Sequence, residues 1–355
     1  MTPEASVTTW RLVLLNCFIV SVAGGCAAQK RFEFVEPKMG TTFHMVVYAT
    51  SQQNADRAAQ SAWARVDELN TILSDYNPNS ELSRLSQMTN DGPMAVPVHV
   101  SDDLYRVIER SLEASLRSDG AFDITVGPFV RLWRRSRQQN ELPTTQRIEE
   151  ARKSYGYQFI RLDPKRQTVQ LLAPHMRLDV GGIAKGYTSE EAIKVMRLYN
   201  IDSALVGAAG DIATSDPPPG KAGWQIRLES LGGEKEPPIY VLLKGHYAIS
   251  TSGDTERFVV INGIRYSHIV NPKTGLGLTD RIGVSVIAPN ATTTDWASTA
   301  ISVMGPEKGL AMIEKIPHAA ARITMLVDGS IKVWESSRFH EFVVQAANLK
   351  MEDGR

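Results

Sequence analysis

Cysteine is nearly missing from this chain of 355 residues: there are two, Cys17 and Cys26. Cys17 lies inside the apolar run Leu12–Ala23. Removal of that run leaves no possible internal disulfide and no thiolate metal site. Histidine is sparse, at seven, and forms no HExxH or similar zinc pattern. Net charge is missing too, because Lys+Arg and Asp+Glu both number 39. That balance argues against a polyanion-binding surface spread over the whole protein, and so against a nucleic-acid binder. No GxxxxGK[ST] phosphate loop, internal repeat or low-complexity tract is present. What remains is 43% hydrophobic and 22% charged, the composition of a globular protein able to bury a core.

The apolar run LVLLNCFIVSVA follows Arg11 and precedes Gly24-Gly25-Cys26-Ala27. It is too short to span comfortably as a mature helix, and its order of charge, apolar core and small residues is that of a secretory signal peptide. A cysteine directly after small residues predicts a bacterial lipoprotein, lipidated at Cys26 and held at a periplasmic membrane. The alternative is ordinary cleavage nearby and a freely soluble periplasmic product. On this reading residues 1–25 are leader, 26–36 tether, 37–346 one folded unit and 347–355 a tail.

Alternation predicts a strand at Thr42–Thr50, and Asn54–Leu73 carries the 3.6-residue apolar spacing of a helix. Ser101 with Asp102-Asp103 opens a second helix that should stop near Asp119-Gly120. Arg131–Asn140 reads as a loop or helix end. Further strands are expected at Phe159–Leu162, Thr168–Leu172, Trp224–Leu228, Ile239–Leu243, Arg281–Ile287, Arg322–Val327 and Ile331–Trp334. Helices are expected from Ile183 to Leu198, at Thr294–Met304 and at Glu307–Ile316. Asn262-Gly263 between two β-like runs is a type I′ hairpin signal. Hairpins mixed with helices, without a regular βαβ array, predict an α+β fold with a mixed, largely antiparallel sheet and flanking helices.

Three stretches carry chemistry. In LDVGGIAKGY, Leu178–Tyr187, Gly181-Gly182 lets the backbone approach a ligand, and the helix start beyond it favours anions. Lys185 adds a point charge there. The same residues also suit a plain glycine turn before a helix. In TTDWASTA, Asp295 and Thr299 are four apart and share a helix face. They can act as hard oxygen ligands for Mg²⁺, or Asp295 can serve the helix dipole. In the hairpin stretch, His268 can accept a hydroxyl proton or sit as a structural histidine. Ser252, Asp254, Arg257, Asn271 and Lys273 are polar neighbours of the same stretch.

Together with GAFD at Gly120–Asp123, Met39-Gly40-Thr41 and Leu73-Ser74-Asp75-Tyr76, these motifs resemble the ApbE family of FAD:protein FMN transferases. The resemblance spans roughly Lys38 to Met304. It implies an ApbE-like, T-fold-like catalytic unit that takes FAD as substrate and uses Mg²⁺. It implies FAD contacts at Met39, Tyr76, Ala121, Phe122, Asp123, Asp179, Lys185 and Ile269. It implies Mg²⁺ ligation by Asp295, Thr299 and the carbonyls of Ala184 and Ser298, and activation of the acceptor hydroxyl by His268. The implied reaction gives FMN-protein and AMP, on an acceptor with an Asp-x-x-(Ser/Thr)-Gly-Ala-Thr type motif in flavin-carrying electron-transfer subunits. FAD hydrolysis to FMN and AMP, and non-catalytic flavin binding, are the alternatives. The family's paired-glycine GGD stands here as GAAGDI, Gly207–Ile212, where Ala209 suits a tight turn of negative φ.

Overall fold

The computed structural model describes residues 28–228, 231, 238–253 and 258–344. The leader, Cys26, Asp254, Arg257 and the 347–355 tail lie outside the described residues. Eight strands form the central sheet: β1 (Lys30–Lys38), β2 (Thr41–Ala49), β3 (Ala204–Ala208), β4 (Asp211–Thr214), β5 (Ala248–Gly253), β6 (Ile282–Ala288), β7 (Ala320–Val327) and β8 (Ser330–Glu335). They lie side by side in chain order, and every pairing is antiparallel. Five helices matter for the site: α1 (Gln52–Leu73), α2 (Asp102–Arg117), α3 (Gly127–Gln139), α4 (Ala184–Leu198) and α5 (Ala291–Met304). The fold is therefore α+β with a largely antiparallel sheet, as expected.

The period-2 pattern of β2 buries Phe43, Met45, Val47 and Ala49 on one face. Against them α1 lays Ala55, Ala58, Ala62, Trp63 and Val66, a 3.6-period apolar stripe whose alanines let helix and sheet approach closely. Strand β6 is buried along nearly its whole length because it is covered on both faces. Val284 and Val286 face the helices, whereas Ile287 packs with Trp224, Leu243 and Phe339 on the other side. The hairpin Trp224–Leu228 with Ile239–Leu243 supplies that second cover. Burying a residue such as Ile287 contributes roughly 1.5–3 kcal/mol.

Three expectations need correction. The stretch expected as tether is strand from Lys30 onward, paired with β2 along Lys30–Lys38. Arg131–Asn140 belongs to α3, which begins at Gly127 with Pro128 in its first turn and ends at Asn140 with φ +54. Its buried residues Phe129, Trp133 and Ser136 recur at helical spacing beneath an arginine-rich face. Ala209 stands at φ +50 and Gly210 at φ +92, so the turn between β3 and β4 is left-handed and not of negative φ.

Candidate active site

The site centres on the start of α4. Asp179 Oδ1 accepts the Gly181 N–H at 2.9 Å, which closes the turn. Gly182 is small of necessity: a Cβ there would lie 3.0 Å from Thr299 Oγ1 and 3.2 Å from the Phe122 ring. Helix α4 then begins without a side-chain cap at Ile183. One N–H of its first turn, that of Gly186, donates to Asp295 Oδ2 at 2.9 Å. A carboxylate at a helix N-terminus is favourable electrostatically.

Lys185 folds back across this turn. Its Nζ donates to the Gly181 carbonyl at 3.0 Å and meets Asp211 at 3.0 Å and Asp295 at 3.5 Å. Burial alone would lower the Lys185 pKa; the charges of Asp211 and Asp295 outweigh it and raise the value. Burial pushes Asp295 up to about 7, Asp211 adds to the rise, and Lys185 opposes it. Two buried carboxyls thus face one ammonium, so ionising both leaves an excess negative charge.

That excess is the test of fit for Mg²⁺. Asp295 Oδ1 has only the long contact to Lys185, and Thr299 Oγ1 makes no hydrogen bond to another described residue. A carboxylate and a hydroxyl are hard oxygen donors, and Mg²⁺ ordinarily takes one or two carboxylates with substrate phosphates. Asp295 and Thr299 fit the ion. Ser298 does not fit as a carbonyl ligand. Its carbonyl lies inside α5 and already accepts the Ser302 Oγ at 2.8 Å, while its own hydroxyl joins Ser252 Oγ at 2.7 Å. Ala184 occupies the first position of α4 and is buried. No group of three or more His, Cys, Asp or Glu that could hold a metal is found among the described residues.

A second cluster adjoins the first through Asp179. Arg134 of α3 donates to Asp179 Oδ2 at 3.3 Å and to Asp75, and its guanidinium lies 3.9 Å over the Tyr76 ring. Tyr76 is 76% exposed, so its ring is presented outward and not packed in the core. Burial and the charge of Asp179 push Asp75 up to about 6 against the opposing charge of Arg134.

The remaining expected residues divide. Met39 is in the β1–β2 turn at φ +50 and packs beside both helix-side cores. Ala121 and Phe122 are buried, with the Phe122 ring 6.3 Å from Trp296. The Asp123 carboxylate is committed to caps: it accepts from Thr125 N at 2.8 Å, Thr125 Oγ1 at 2.7 Å and Tyr157 N at 2.9 Å. Its side chain holds the local turn, and the Ala121 and Phe122 N–H groups go to Ser118. The hairpin Phe258–Ile261 and Ile264–Ser267 turns at Asn262 and Gly263, φ +52 and +77. His268 follows it, half-buried, and Ile269 is buried with its N–H on Ser267 Oγ at 3.1 Å. Tyr266 sets this hairpin against Trp133 of α3, ring centroids 5.4 Å apart. Asn271 Oδ1 caps Lys273 N at 2.9 Å, a local turn.

Two site residues were missed by the sequence reading. Asp211 was visible as the acid directly after the Ala209-Gly210 turn. Arg134 had no such signal, because an arginine among arginines announces no partner.

Fold and site define a class first: a single α+β unit in which a glycine turn leads into a helix start and one lysine is clasped by two buried carboxylates, hard oxygen donors beside a backbone that a phosphate can approach. The chain belongs to the ApbE family, whose model matches residues 39–323. A Vibrio cholerae serotype O1 protein, FAD:protein FMN transferase, is 30% identical over 342 residues, spanning 94% of this chain and 98% of that relative. A Treponema pallidum protein of the same name is 29% identical over 335 residues, spanning 90% and 91%. Among solved structures, flavin transferase ApbE from Vibrio cholerae superposes with a TM-score of 0.77 at 26% identity, covering 88% of this chain and 99% of that one. The ApbE protein from Thermotoga maritima gives 0.77 at 29% identity, covering 89% and 100%.

Proposed function

We propose that this protein transfers FMN from FAD to a Ser or Thr hydroxyl of an acceptor protein, leaving a phosphoester and releasing AMP. The observation that carries the reading is Lys185, pinned between Asp211 and Asp295 beside the Gly181-Gly182 turn. The curated relatives named FAD:protein FMN transferase support the same reaction class.

The bond that forms joins the acceptor oxygen to the FMN phosphorus. The bond that breaks joins that phosphorus to the bridging oxygen, which leaves with AMP. Lys185 and the Gly181-Gly182 turn hold the pyrophosphate and meet the charge that grows on it. His268 takes the proton of the attacking hydroxyl. Mg²⁺, held by Asp295 and Thr299, would neutralise phosphate charge. Since a hydroxyl is a weak nucleophile, most of the rate comes from positioning. The leader pattern supports Cys26 as a lipid anchor that would hold the protein at a periplasmic membrane, beside acceptors bearing a DxxTGAT-type motif. No described helix is long and apolar enough to cross a membrane.

The test is AMP release from FAD with acceptor present. Asp295→Ala is expected to lower it by at least about a hundredfold, and EDTA should abolish it in the unaltered protein. Activity equal to the unaltered protein in Asp295→Ala would refute the metal assignment.

A further inference from the structure

Arg134 reaches three groups of the site at once, and each comes from a different segment. It hydrogen-bonds Asp75 in the loop after α1, meets Asp179 at 3.3 Å before α4, and stacks 3.9 Å from the centroid of Tyr76. The ring it covers is 76% exposed, so the opposite face stands open to solvent. An aromatic ring fixed on one face and open on the other is a stacking platform. The charge of Asp179 opposes ionisation of Asp75, with Arg134 as the cation between them. Without that cation they would present negative charge to a pyrophosphate held at Gly181-Gly182, two residues beyond Asp179. Lysine cannot replace it, since an ammonium has neither the planar face nor the fork that bridges two carboxylates.

We propose that Arg134 is a positioning residue for FAD: it holds the Tyr76 ring as a platform for an aromatic ring of the dinucleotide and screens the Asp75–Asp179 pair from its pyrophosphate. The inference rests on the FAD reading of the site.

Flavin fluorescence, titrated on the whole chain without acceptor, reads FAD affinity directly, and circular dichroism melting checks each variant's fold. Arg134→Gln should weaken FAD binding about tenfold, and Arg134→Lys by less, since it keeps the charge but loses the stacked plane. Tyr76→Leu should weaken binding as well. In the double variant the loss should be smaller than the product of the two single losses, because Arg134 acts partly through the ring. A merely structural arginine would lower the melting temperature and give losses that multiply. Undiminished affinity in Arg134→Gln, or multiplying losses, overturns the proposal. If Arg134→Gln does not fold, Arg134→Lys decides: affinity equal to the unaltered protein overturns it. Failure of the unaltered protein to bind FAD overturns the FAD reading itself, and is seen before any variant is made.

Discussion

Asp75 and Asp295 are carboxyls kept protonated to about pH 6 and 7 in the folded chain, by burial first and by Asp179 and Asp211 second. In the unfolded chain each titrates near 3.8. Between those values the folded state binds more protons, so its stability falls as pH rises. The contribution is complete below the unfolded value and is lost as pH passes the folded one. The ligand-free protein should therefore lose melting temperature from about pH 4 to 7 through these groups. Asp75→Asn should flatten the lower part of that slope, up to about pH 6, in scans across pH. An unchanged slope would mean that Asp75 is already ionised in the fold. The same frustration is functional: a carboxylate that is poorly compensated alone is ready for a cation.

Helices α4 and α5 cross where Gly186 faces the Ala291 carbonyl, and a Cβ at Gly186 would lie 2.1 Å from that oxygen. Gly186→Ala must push the helices apart, at about 1–3 kcal/mol or more. It should also pull the Gly186 N–H from Asp295, so transfer should fall along with the denaturation midpoint. Retained transfer with a lowered midpoint would separate packing from the site. This contact also shows what could be read beforehand. The Gly-Gly-Ile-Ala-Lys-Gly stretch announced a helix start, and Asn262-Gly263 and Asp119-Gly120 announced a turn and a stop, since local backbone conformation is written in local residues. The Ser101 cap was legible for the same reason: its Oγ accepts the Leu104 N–H at 3.3 Å. Strand β1 was not legible, because Lys, Arg, Glu and Pro37 resemble a linker. It is an edge strand, the one place in a sheet where charges and proline are tolerated. Helix α3 was hidden likewise by its arginines. Arg134 and Asp211 acquired roles only through partners far along the chain, Asp179 for Arg134 and Lys185 for Asp211, and no local pattern encodes those.

Across the whole molecule, three helices are tied behind the site by one arginine. Arg65 of α1 meets Asp103 of α2 at 2.5 Å and Glu191 of α4 at 2.8 Å, while the Tyr187 hydroxyl donates to Asp103 at 2.6 Å. All are largely buried, so Arg65→Ala leaves Asp103 without its cation, while Glu191 keeps Lys194 at 2.6 Å, and should destabilise by about 3 kcal/mol in urea unfolding. A loss below about 1 kcal/mol would mark the network as solvent-screened. This tie sets the direction of α4, hence of Lys185. The antiparallel sheet thus serves as a frame, and the chemistry sits on the connections above it. The central claim is that this frame carries FMN to a protein hydroxyl. The most direct measurement is the intact mass of an acceptor domain bearing a DxxTGAT-type motif, incubated with this protein, FAD and Mg²⁺. A gain of one FMN with AMP release is expected, and neither in EDTA. Free FMN and AMP with no gain of mass on the acceptor would contradict it.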